Sequence, residues 1–137
     1  MRSRETLIRL QRFQVDEKRR EVGEIEVMIA DFERKITELD QQISTEQERS
    51  GITDVKHFAY PMFAKAAGDR KEKLLESIGG LEEQLVKAQG ALAEEFGELK
   101  KMELIEEKDI RRRDDEYLAH EQSEMDETAL NLHRQNF

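Results

Sequence analysis

The chain has no cysteine and no tryptophan, and its single proline is Pro61. Without cysteine there is no disulfide frame and no thiolate zinc site, which is compatible with a reducing cytosol. Aromatic residues make up 6% of the chain, and no stretch reaches the length of an apolar membrane span. The start, Met1-Arg2-Ser3-Arg4-Glu5, leads straight into charged sequence and lacks the apolar run of a signal peptide. Positive charge is also in deficit. A formal net charge of −9 disfavours nucleic acid as the main partner, because phosphate binding needs a clustered basic surface. Glycine–lysine phosphate loops are missing as well. The chain reads as cytoplasmic, without a large core and so without the deep pocket of an enzyme.

What is present is charge in a regular frame. Of 137 residues, 40% are charged and 36% hydrophobic, a mix that at helical spacing signals long helix or coiled coil. Ile8, Val15, Val22, Ile29, Ile36 and Ile43 recur every seven residues, and Ile25, Phe32 and Leu39 complete an a/d seam over the second half. Such a stripe stays on one side only when the helix supercoils with a mate. An isolated helix this polar would bury too little to be stable.

Residues 3–49 read as one helix with Ser3 as N-cap. Gln11 and Lys18 occupy d positions, so its first twenty residues pair more weakly. Leu7, Leu10 and Phe13 lie partly off the seam and are expected to pack on the mate near its far end; a separate docking site is the alternative. Residues 50–60 interrupt the heptads as a connection, with Ser50-Gly51 as a stop and Pro61 as a helix start. The second helix runs from 61 to about 125, with a tail to 137. Its seam is Leu74, Ile78, Leu81, Leu85, Ala88, Leu92, Leu99 and Met102, with Glu95 as a polar exception. Beyond Met102 the stripe is expected to fall apart, since Glu106, Asp109, Arg113 and His120 take the seam positions.

Folding the chain back near residue 55 brings Ile36 level with Leu74, Ile29 with Leu81, Val22 with Ala88 and Ile8 with Met102. It also sets the basic start of the first helix (Arg2, Arg4, Arg9, Arg12, Lys18, Arg19 and Arg20) against Glu94, Glu95, Glu98, Glu103, Glu106, Glu107 and Asp109. Flanking charges of opposite sign set orientation more than stability. The expected fold is all-α, a long two-helix antiparallel coiled-coil hairpin with an overhanging C-terminal helix segment, treated as a single domain. At 1.5 Å per residue the first helix would be roughly 70 Å long.

No catalytic constellation is visible, and neither a cofactor nor a metal is expected. Glu116, His120 and Glu124 share a helical face at a spacing metals use, but a solvated face with a helical ion pair accounts for them. Two contact regions stand out. Phe58, Tyr60, Met62 and Phe63 crowd the connection, either as a mini-core with Ile52 and Val55 or as an exposed docking patch. Glu121 to Phe137, with Met125, Leu130 and Leu132, is either a frayed tail or a segment that orders on a partner.

Several stretches resemble the FliJ family of flagellar type III export proteins. They are the Leu-rich start Leu7-Ile8-Arg9-Leu10-Gln11-Arg12-Phe13, the late run Gln122 to Glu127 containing Met125-Asp126-Glu127, and His57 to Ala67, the last most similar to the alphaproteobacterial form. The resemblance covers nearly the whole chain. It implies a non-enzymatic, stalk-like protein that inserts into the export ATPase ring, promotes its assembly and activity, and engages the export gate protein at the cytoplasmic face of the inner membrane. Some members of the family also handle substrate chaperones, which the resemblance adds as further partners. Carried over, the gate contact falls on Leu39, Ile43, Tyr60, Phe63 and Leu74, and the ring contact on the Arg-rich start and Met125, Asp126 and Glu127. The alternatives are a cytosolic export chaperone or escort, and a plain scaffold in which the hairpin opens and dimerises through the same seam.

Overall fold

In the computed structural model, residues 2–50 and 59–136 are described; the connection, with Ile52, Val55, His57 and Phe58, lies outside them, as does Phe137. The chain is an all-α helical hairpin of two long helices packed against each other, α1 (Arg2–Ser50) and α2 (Ala59–Gln135). No proline falls inside α1. Pro61 sits in the first turn of α2, where its missing N–H has no intrahelical partner to lose. His133 and Arg134 lie in the last turn of α2, favourably placed toward the negative end of the helix dipole.

Contacts group into two compact units. One is Met1–Phe13 with Phe96–Phe137, and the other is Gln14–Glu95. In the second unit, Val15, Val22 and Leu39 of α1 and Ala67, Ile78, Leu81 and Ala88 of α2 are buried. Ile25, Ile29, Phe32, Ile36 and Ile43 are half-buried, as are Leu74, Leu85 and Leu92. The covered positions alternate in steps of three and four, the spacing that keeps one stripe of a supercoiled helix on its mate. Lys18, Lys71 and Glu95 interrupt it as half-buried polar residues. Lys71 Nζ donates to Asp40 Oδ1 at 2.8 Å, bridging the two helices.

In the first unit, Ile8 and Leu99 are buried, and Gln11 and Met102 half-buried. Leu7, Leu10 and Phe13 do not pack on the mate as expected; they are 54%, 55% and 57% exposed. The reason is positional: the seam runs through residues 4, 8 and 11, and these three side chains lie round the helix from it. The stripe also does not end at Met102. Glu106 and Asp109 continue the three–four spacing as half-buried positions. Nor does the helix end near residue 125. It runs on to Gln135, and every residue of 110–136 is exposed.

Glycines on the outer side of α2 have no packing reason to be there. A methyl group added at Gly79 or Gly90 would meet nothing within 4 Å, while glycine costs about 1 kcal/mol against alanine in a helix interior. Gly79→Ala and Gly90→Ala should each raise the unfolding free energy in urea by up to about 1 kcal/mol. Leu39→Ala should lower it by about 2 kcal/mol or more. Glycine variants that lose stability would mean that a bend at these points is part of the native fold.

Candidate functional site

The polar end of the seam is built around Arg4. This residue occupies the position four before Ile8, so the register that buries Ile8 also turns the Arg4 guanidinium inward. Its Nη1 donates to Glu106 Oε2 at 3.3 Å and to an Asp109 carboxylate oxygen. Arg112 lies 3.5 Å from the other oxygen of Asp109, and Arg12 lies 3.8 Å from Glu103. The Glu106 and Asp109 side chains keep only 17% and 21% of their exposure. The hydrogen bond from Arg4 holds the Asp109 carboxyl below its ordinary 3.8, with partial desolvation opposing and the charges of Arg4, Arg112 and Arg113 assisting. Arg4 in turn is held more firmly protonated, chiefly by its bond to Asp109. The opposite charges are plain in the sequence, whereas the clasp itself is not among the contacts expected from it. The signal was available, since 4–8–11 on α1 and 102–106–109 on α2 keep the seam's spacing.

Beyond the clasp, every described position of α2 from 110 to 136 is exposed. Tyr117 donates to Glu121 at 2.8 Å, Gln122 to Asp126 at 3.2 Å, and Thr128 to the carbonyl of Glu124 at 2.9 Å. His120 lies 3.2 Å from Glu124. All of these bonds run one turn along the helix, and the pairs between side chains add modest support to it. Met125, Asp126 and Glu127 all lie on this exposed stretch. Leu118, Met125 and Leu132 follow one another at seven-residue intervals, and Met125 and Leu132 border a shallow groove with Glu121, Glu124, Thr128 and Ala129. Leu118 is not pointed to by the spacing of the inner seam, because this stripe lies on another side of the helix.

The other candidate region is in the second unit. Tyr60, Phe63, Ile43 and Leu74 are half-buried, and Met62 is 75% exposed. Leu39 is buried, so a partner there would meet the surface around it and not its side chain. Phe63 borders two depressions, one with Gln41, Gln42, Thr45 and Glu46, the other with Leu39, Ala66, Ala67 and Arg70. The structure thus groups Leu39 and Phe63, and leaves Met125, Asp126 and Glu127 on the separate α2 extension.

A two-helix hairpin with one bare helical extension is a shape many coiled coils could take, so comparison with known proteins decides. A family model described as flagellar FliJ protein matches residues 2–136. The chain belongs to the FliJ family. Membership makes it a component related to flagellum biogenesis and protein export, in a family that is not catalytic. No curated protein and no solved structure gives a significant match. Among the described residues of this FliJ-family chain, no helix is long and apolar enough to cross a membrane.

The clasp carries a pH signature. Because the folded carboxyl of Asp109 titrates below its unfolded value of 3.8, its contribution is complete above that value and is lost as pH falls through the folded one. Asp109→Asn should therefore unfold at lower temperature than the parent at neutral pH, and the gap should close below about pH 4. A gap that is the same at pH 7 and pH 3 would show that the clasp contributes nothing through charge.

Proposed function

We propose that this protein is a stalk-like coiled coil that couples the export ATPase ring to the export gate at the cytoplasmic face of the inner membrane. The observation that carries the reading is the α2 extension. Residues 110–136 are wholly exposed, helical, and marked by an apolar stripe that no part of α1 covers. A helix in that state has surface to offer a surrounding protein. Met125, Asp126 and Glu127 are the ring contacts in this reading. Tyr60, Phe63, Ile43 and Leu74, with the surface around Leu39, are the gate contacts. The two sets lie in different compact units. Substrate chaperones are further partners that the exposed apolar positions could serve.

The test is ATP turnover by a purified export ATPase with and without the protein. Stimulation should fall several-fold with Asp126→Ala/Glu127→Ala and survive Tyr60→Ala, while binding to the gate protein should show the opposite pattern. No stimulation and no co-assembly would sink the stalk reading and favour an export chaperone. Intact helix content in each variant, read by circular dichroism, separates a lost contact from a lost fold.

A further inference from the structure

The unit formed by Met1–Phe13 and Phe96–Phe137 carries two exposed apolar strips of opposite charge. On α1, Leu7, Leu10 and Phe13 are more than half exposed, with Arg9 and Arg12 beside them. On α2, Leu118, Met125 and Leu132 are 60%, 67% and 56% exposed. Around Leu118 and Met125, residues 114–127 hold seven carboxylates and no lysine or arginine.

The strips cannot meet within one molecule. Arg4 binds Glu106 and Asp109, which fixes the start of α1 level with those residues. Leu118 stands nine residues past Asp109, roughly 13 Å further along an unbroken helix. Only a second molecule can bring a basic strip to the acidic one, and another copy of this chain supplies both at once. Under a two-fold axis, the α2 extension of each copy lies on the start of α1 of the other, and one contact is made twice. We propose that the free protein forms this reciprocal dimer, with Leu118 and Met125 of one copy against Leu7, Leu10 and Phe13 of its partner. Glu121 and Glu124 then face the side of α1 that carries Arg9 and Arg12. The dimer covers the stripe that any other partner of the extension would need, so it is a resting state that binding elsewhere must displace. The proposal concerns the protein alone and stands or falls without an ATPase.

The absence of cysteine makes a direct test available. Leu7→Cys and Leu118→Cys single variants, mixed and oxidised, should give a disulfide-linked dimer that forms much less in either variant alone and in high salt. In sedimentation velocity the parent should pass from monomer to dimer with rising concentration, with weaker association at high salt. Arg9→Glu/Arg12→Glu should weaken the dimer by roughly tenfold or more, and adding Glu121→Arg/Glu124→Arg to the same chain should restore it. Arg9→Glu alone serves as a second variant, because Arg12 also meets Glu103 within the chain. A monomer at the highest concentration reached overturns the proposal. So does a dimer that Met125→Asp leaves intact, because it would be formed by another face, such as an opened hairpin pairing through its seam.

Discussion

One narrow seam holds this molecule together. More than a third of the residues are acidic or basic, and neither helix has enough apolar surface to be stable alone. Stability comes from side chains at alternating three- and four-residue steps on α1 and α2, each covered by the opposite helix. Because the spacing is strict, a shift of either helix by one residue would turn the covered side chains toward water. The interrupting polar residues reinforce the same register. Lys71 reaches Asp40, and Arg4 reaches Glu106 and Asp109. Each polar group in the seam with a mapped bond across it is therefore also a marker of where the helices must stop sliding.

Partner surfaces follow from that economy. A seam that takes one stripe of each helix leaves the remaining faces to solvent. Most of those faces are charged, and the apolar side chains left among them include Leu7, Leu10 and Phe13 at the start of α1 and Leu118, Met125 and Leu132 on the extension of α2. They lie off the seam for geometric reasons and cost the hairpin little. Membership of the FliJ family implies interaction with components of the flagellar export apparatus, and exposed apolar side chains of this kind are what the proposed contacts would use.

The hairpin was legible in the sequence because heptad spacing is a direct print of helix pairing. Ile8, Val22, Ile78, Leu81 and Ala88 needed no further information to be set on the inner face. The clasp was less legible, since a charged residue at a seam position reads as an end of the seam. Only the bonded pair shows that Arg4, Glu106 and Asp109 prolong it. Leu7, Leu10 and Phe13 misled for the opposite reason: an apolar residue near the seam suggests burial, and the angle round the helix decides otherwise. The outer stripe through Leu118 is less legible because it lies off the inner seam. The extension past residue 125 is less legible because the inner seam has ended by then, while local bonds such as Gln122 to Asp126 add support to the helix.

Among the described residues, the least exposed side chain in the core is Val15, at 2%, and the rest of the buried set lies between 6% and 9%. Every stabilising contact therefore lies one side chain away from water. Unfolding such a hairpin uncovers little new apolar surface per residue compared with a globular domain, and that surface is what gives unfolding its large heat-capacity change. The stability curve of this protein is accordingly less bent: its slope changes little between cold and warm conditions, and a maximum of stability is less sharply marked than in a globular domain.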